Sequence, residues 1–231
     1  MCIHPWGFGM AAATCLAVGS AASAGCVHSV QVFNDPARSA SGDISPLVRF
    51  ADLGLGPNAV GYGAAGHRRD EITIADGQLY LVRPGDAGGA KTRHRAAMDE
   101  GALMLQLVPV EEWAQATELG SVPSLEALGA VLDDAVRSAG CGGGAKLAFR
   151  IETRVRRAVW SLDTLPARAE LVTESEPAVI VGLYATEDAA RHAMPAGRRF
   201  HAHIVFPTLD LAGHLREVDL EGGSNLQLQA R

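Results

Sequence analysis

Phe200-His201-Ala202-His203-Ile204-Val205-Phe206-Pro207-Thr208-Leu209-Asp210-Leu211-Ala212-Gly213-His214-Leu215-Arg216-Glu217-Val218-Asp219-Leu220 is the stretch that decides the fold. Phe200 to Phe206 is rich in β-branched and aromatic residues and reads as a strand. Strand side chains alternate between two faces, so His201 and His203 project from the same one. Pro207 to Gly213 reads as a turn, and His214 opens a second run to Leu220. A hairpin of this kind folds the third imidazole back toward the first two. Three neutral imidazoles converging on one point, with a fourth position open, are what a catalytic zinc ion needs. The competing reading is an ordinary half-buried or surface histidine pair; the third histidine, set beyond a turn of suitable length, weighs toward metal. His4, His28, His67, His94 and His192 show no such clustering and read as surface or loop residues.

Working outward, Ala178–Tyr184 is an apolar strand, and Lys146–Trp160 is a long strand or strand pair. Residues 185–199 read as a loop leading into the histidine hairpin. Ser124–Ala139 is the clearest helix, started by Pro123 and Ser124 and ended by Gly140–Gly144. Its Leu125, Leu128, Val131, Leu132, Ala135 and Val136 make one stripe. Ala102–Val110 reads as a buried strand, and Arg83–Arg95 as a polar loop. Glu71–Ala75, Asp76-Gly77 and Gln78–Val82 form a hairpin signal with Asp-Gly at the turn. Gly54–Gly66 is glycine-rich and reads as a loop; no Lys-Ser/Thr follows it, which argues against a phosphate cradle. Ile44–Leu53 reads as a short helix, Asn34–Asp43 as turn-rich, and Val27–Phe33 as a strand. Strands outnumber helices without regular βαβ alternation, so the expected class is α+β with mixed or antiparallel sheets. The expected arrangement is two lobes, about 25–145 and 146–231.

The chain has 231 residues and a net charge of −6. Without a Lys/Arg cluster, an acidic chain makes a poor nucleic-acid binder. Arg154-Val155-Arg156-Arg157 reads as a solvated strand face. Met10–Ala24 is apolar and ends in Ala22-Ser23-Ala24, the small-x-small pattern of a signal-peptidase site, so residues 1–24 are expected to be a signal peptide. That stretch is too short and alanine-rich to be a membrane span. A periplasmic or secreted protein is expected, with lipidation at Cys26 the lesser alternative. Removal of the leader takes Cys2 and Cys15 and leaves Cys26 and Cys141, either a disulfide or two thiols that never meet.

Taken in order, these landmarks resemble the bacterial acetolactate decarboxylase family across essentially the whole mature sequence. Val60-Gly61-Tyr62-Gly63 running to Asp70-Glu71 and Tyr80 is similar to the family's Gly-x-Gly loop, Gly-Glu, strand and Asp-Gly. The Ser124 helix leading into Leu147-Ala148-Phe149-Arg150-Ile151-Glu152 is similar to its helix-then-strand block. Ile180-Val181-Gly182-Leu183 through His201-Ala202-His203 and Gly213-His214 matches its zinc motif in both the His-x-His step and the gap that follows. The resemblance implies a two-lobed fold, a homodimer, Zn(2+) on His201, His203 and His214, and decarboxylation of 2-acetolactate to acetoin. It implies a metal acting as Lewis acid on the enediolate and Glu71 as the acid that delivers a proton to carbon. Arg150 aligns with a family arginine. Three positions depart from the pattern: Ala64 stands where the family has threonine, Ser161 stands where ungapped counting places its active-site arginine, and no counterpart of its late glutamate is expected before Arg231. Arg154, Arg156 and Arg157 are the nearest substitutes for the arginine. A family-derived protein that holds metal and a small ligand without turnover is the alternative, and a generic metal-binding exported domain a third reading. Zinc, iron and nickel all suit the ligand set.

Overall fold

The structure, a computed structural model, describes residues 26–186, 194 and 197–230. The expected leader and most of the expected 185–199 loop lie outside the described residues. The fold is built from two sheets, and every strand pair in them is antiparallel among the described residues.

The first sheet has seven strands: β1 (Gln31–Phe33), β2 (Val48–Arg49), β3 (Val60–Ala65), β4 (Glu71–Ala75), β5 (Gln78–Pro84), β6 (Ala90–Arg93) and β7 (Gly101–Val108). They lie in the order β1-β7-β3-β4-β5-β6, with β2 also on β7. The β4–β5 hairpin turns at Asp76 (φ 49°) and Gly77 (φ 71°), two consecutive left-handed residues that match the right-handed twist of the flanking strands. β3 corrects the expected glycine loop. Val60, Tyr62 and Ala64 alternate with Gly61 and Gly63, so the strand pattern was hidden by its glycines. A Cβ on Gly63 would sit 2.0 Å from the Met104 carbonyl oxygen, and its absence lets β3 approach β7. Two other expectations change. Residues 44–53 contain β2 and a 3-10 turn over Phe50–Asp52 in place of a helix, and the polar 83–95 segment contains β6, which pairs with the end of β5.

The second sheet has six strands: β8 (Thr117–Leu119), β9 (Lys146–Leu162), β10 (Ala169–Ala185), β11 (Phe200–Phe206), β12 (Leu211–Leu220) and β13 (Ser224–Leu228). β9 and β10 form one long hairpin, paired from Leu162↔Ala169 to Lys146↔Ala185. β11 pairs with the second half of β10, from Val179, β12 with β11, and β12 returns to β9, so the four strands close into a ring of pairings that leaves the first half of β10 paired with β9 alone among the described residues. Where the ring closes, it pairs backbone groups that an open sheet would expose. β12 runs along β9 from Ser161 to Val155, and β13 along β9 from Glu152 to Phe149. The turn before β12 is shorter than expected, because β12 already begins at Leu211.

Of the two α-helices among the described residues, α1 (Pro36–Ala40) is short and exposed, and α2 (Leu125–Ser138) follows its sequence closely. The Ser124 hydroxyl accepts from the Ala127 N–H at 3.1 Å as the N-cap. Leu128, Leu132 and Val136 are buried in the same core as Phe149, Ile151 and Trp160 of β9. Truncating a buried leucine such as Leu132 to alanine costs about 2–5 kcal/mol. Cys26 and Cys141 form a disulfide across 115 residues of sequence. No helix among the described residues is long and apolar enough to cross a membrane.

Candidate metal centre

The two sheets meet where β4 packs against β11 and β12. His203 on β11 lies directly opposite His214 on β12, and His214 lies opposite Ser161 on β9. His201, two residues before His203, shares its face, as strand parity requires. The ring of His201 is 4.4 Å from that of His214 and 5.5 Å from that of His203, centroid to centroid. One ring nitrogen from each of the three lies within 4.8 Å of the others. The structure therefore brings His201, His203 and His214 together.

Each imidazole is poised as a neutral donor. His203 is 1% exposed, and its Nδ1 meets the Thr73 hydroxyl at 2.7 Å. With that hydroxyl accepting from Nδ1, the Nε2 lone pair stays free, the usual way a neighbour fixes the tautomer of a metal ligand. His201 Nε2 is buried with no hydrogen-bond partner among the described residues. Burial pushes His201 down to about 3, reinforced by the neighbouring His214, which resists a second charge beside it, and by Arg216 and Arg198. Burial likewise takes His214 to about 3, with help from Arg216 and Arg198, and holds His203 well below the usual imidazole range. Neutral nitrogens with unspent lone pairs fit a divalent cation of the zinc type.

Glu71 begins β4 and reaches the same place, with Oε1 3.7 Å from His203 Nε2. Its other oxygen accepts from the Asp163 N–H at 3.0 Å. Burial is the largest influence on Glu71 and raises it to about 8. Asp163, just past β9, places a carboxylate oxygen 3.7 Å from His214 Nδ1. Glu71, Asp163 and His214 form a second group whose ligand atoms lie within 4.8 Å of one another. A cavity of about 360 Å³ opens on these groups, lined by Tyr62, Arg68, Glu71, Asp163, His201 and His214 among others. The Tyr62 ring lies 4.1 Å from that of His201, and its hydroxyl bonds Gln106 Oε1 at 2.7 Å.

The four arginines singled out from the sequence go elsewhere, Arg157 to Glu217 at 2.9 Å. Arg150 binds Asp76 of the β4–β5 turn at 2.8 Å and Glu152 at 2.8 Å. Arg154 donates to the Ser175 carbonyl, and Arg156 to Asp219 at 2.9 Å and Ser121 at 2.9 Å. None of them lines the cavity. Register explains this: Arg150 lies opposite Val181, which lies opposite His203, so it shares the histidines' face but sits two strands away, over the Asp76 turn, while Arg154 and Arg156 lie further along β9 in an exposed stretch.

Guanidiniums do reach the site, from positions sequence reasoning passed over. Arg216, two residues beyond His214 on the same face of β12, donates from Nε to Ser161 Oγ at 2.8 Å and pairs with Asp163. Arg68, in the turn between β3 and β4, donates from Nη2 to the Asp163 carbonyl at 3.0 Å and lines the cavity. Thr73 and Arg216 were findable by counting two residues from Glu71 and His214. Asp163 and Arg68 sit in connections, where no period marks a direction.

No protein-family model matches the sequence, and no curated protein matches it. Solved structures do match. Acetolactate decarboxylase from Bacillus subtilis subspecies spizizenii superposes with a TM-score of 0.64 at 14% identity, over 82% of this chain and 80% of that one. The Bacillus subtilis strain 168 enzyme gives the same values. A Staphylococcus aureus protein of unknown function, described as similar to alpha-acetolactate decarboxylase, gives 0.66 at 12% identity, over 87% and 85%. At these identities the likeness is one of fold: two antiparallel sheets with few helices.

Proposed function

We propose that this chain is a divalent-metal-dependent decarboxylase of a small α-hydroxy-β-keto acid, with 2-acetolactate as substrate and acetoin and CO2 as products. The observation that carries the proposal is the convergence of three neutral imidazoles and one buried carboxyl group on a single cavity. The acetolactate-decarboxylase-like fold supports it.

His201, His203 and His214 are the residues that would hold the cation, zinc by their chemistry. When bound, it supplies Lewis acidity toward the neighbouring carbonyl and hydroxyl oxygens of the substrate. The chain's own residues do the rest. Thr73 fixes the His203 ring, and Tyr62 packs against His201, so the donors are held before substrate arrives. In the reaction the bond from C2 to the carboxylate carbon breaks and its electron pair moves toward the adjacent ketone. One proton is then delivered to C2, giving acetoin. Glu71 is the acid placed to deliver it, and a positioned acid of this kind contributes about 10²–10⁴-fold.

A second reading, metal and ligand binding without turnover, is favoured by one observation: Ser161 and Ala64 stand where the resembling family has arginine and threonine. Incubating purified protein with racemic acetolactate, with and without added zinc, and assaying acetoin separates the two. Acetoin above the level of a His203→Ala control is the expected result; equal levels overturn the decarboxylase reading. The Cys26–Cys141 disulfide supports the further proposal that the protein is exported to an oxidising compartment. A homodimer belongs to the same proposal, and its mass in solution tests it.

A further inference from the structure

One guanidinium at the cavity has no ion-pair partner among the described residues. Asp163 is matched by Arg216, whose Nη2 pairs with its carboxylate while Nε bonds Ser161. Glu71 accepts the Asp163 N–H at 3.0 Å, and no arginine lies within ion-pair distance of it among the described residues, though Arg216 and Arg68 are near enough to act on its charge. Arg68 is the exception. Its one recorded side-chain bond among the described residues goes to a neutral carbonyl, and its Nε is buried without a partner. A partly buried guanidinium with no anion of its own is unfavourable unless a ligand brings one. Arg198 also acts on His201 and His214 but is exposed and does not line this cavity.

The backbone around Arg68 is held in a costly shape. His67 (φ 60°) and Arg68 (φ 55°) are consecutive non-glycine residues in the left-handed region, where each costs about 1–3 kcal/mol. The surroundings enforce it. The His67 N–H donates to the Ile44 carbonyl at 2.6 Å, and the Arg68 carbonyl accepts from Leu165 at 2.8 Å. Asp70, 1% exposed, is fastened by Arg83 at 2.8 Å and Arg93 at 2.7 Å. Such strain persists where the fold aims a side chain at a particular place. Here that place is the wall beside Glu71 and His214.

Resting on the reading of the site as one for a hydroxy-keto acid, we infer that Arg68 binds the substrate carboxylate through its guanidinium, doing from the β3–β4 turn what Ser161 has no charge to do from β9. The planar fork of arginine meets both carboxylate oxygens.

The test uses a stable substrate mimic that cannot decarboxylate, 2,3-dihydroxy-2-methylbutanoate, and its neutral counterpart, 2-methylbutane-2,3-diol. Binding of each to the purified protein, before and after zinc addition, is measured by titration calorimetry. The wild type is expected to prefer the acid. Arg68→Ala is expected to weaken the acid by about tenfold to a hundredfold while leaving the diol unchanged. Arg68→Lys should recover part of the loss and Arg68→Gln none, which keeps the test alive if the alanine variant folds poorly. Equal acid affinity in the lysine and glutamine variants, or no preference for the acid in the wild type, overturns the inference. The two proposals fail separately. Acid binding that depends on Arg68 without acetoin formation rejects the decarboxylase and keeps the anchor. Acetoin formation with an unchanged KM in Arg68→Ala rejects the anchor and keeps the enzyme.

Discussion

Along the exposed stretch of β9, Arg154, Arg156 and Arg157 each reach a partner: the Ser175 carbonyl, Asp219 and Glu217. At the cavity, by contrast, His201 Nε2 and Arg68 Nε are buried without one among the described residues. Exposed charges are solvated whether or not they find a neighbour, so ion pairs between them carry little information about function. A buried donor or acceptor left unmade costs about 1–3 kcal/mol. Unsatisfied groups gathered at one cavity therefore point to a ligand, and the difference between the two regions is one of what each still lacks.

The largest expected effect comes from removing an imidazole. His203→Ala should lower bound zinc from about one per chain to none and take acetoin formation to background, read by elemental analysis and by product assay. A variant that still held stoichiometric zinc would break the comparison at its strongest point. Glu71→Gln comes next. It keeps the shape and removes the proton source, so turnover should fall about 10²–10⁴-fold with zinc content unchanged. Loss of zinc alongside turnover would instead make Glu71 a ligand.

These residues differ in how readily the sequence disclosed them. The histidine hairpin and the Asp76-Gly77 hairpin were legible because both rest on local spacing: period-two alternation and a turn of consecutive left-handed residues. The Ser124 helix was legible through its cap and stripe. β3 was not, since its glycines, which admit the β7 backbone, are also the residues that mark loops. The arginines misled for a different reason. Ser161 meets His214 through a pairing between strands far apart in sequence, and Arg216 reaches Ser161 across that pairing. Counting along β9 alone cannot find a guanidinium that arrives from β12 or from the β3–β4 turn.

Acid should act on the cavity more than on the exposed stretch of β9. His201 and His214 fall from 6.5 to about 3 on burial, so below pH 6.5 the unfolded chain binds more protons than the folded one. The metal-free protein should therefore lose stability as the pH drops from about 6.5 toward 3. Glu71 works in the opposite sense. Raised from 4.5 to about 8, it contributes stability that is fully present below 4.5 and is lost as the pH rises toward 8. With three imidazoles against one carboxyl, the acid limb is the steeper. Urea unfolding of metal-free protein across pH 4–8 measures both limbs, and His201→Ala should flatten the acid one. An acid limb of unchanged slope in that variant would place the titration elsewhere.

The smallest effect is expected on the exposed stretch of β9. Arg156 and Asp219 are 49% and 37% exposed in their pair, so water screens the attraction and competes for both groups. Arg156→Ala should change stability by no more than about 1 kcal/mol and leave zinc content and acetoin formation as they are. Arg154→Ala should behave alike, because the Ser175 carbonyl it leaves is itself at the surface and can turn to solvent. The same substitution chemistry, arginine to alanine, is thus expected to be silent on β9 and to weaken acid binding at Arg68. If Arg154→Ala or Arg156→Ala weakened binding of the dihydroxy acid as Arg68→Ala does, the exposed stretch would be reaching the site through the sheet. Exposure would then no longer separate the arginines that bind substrate from those that do not.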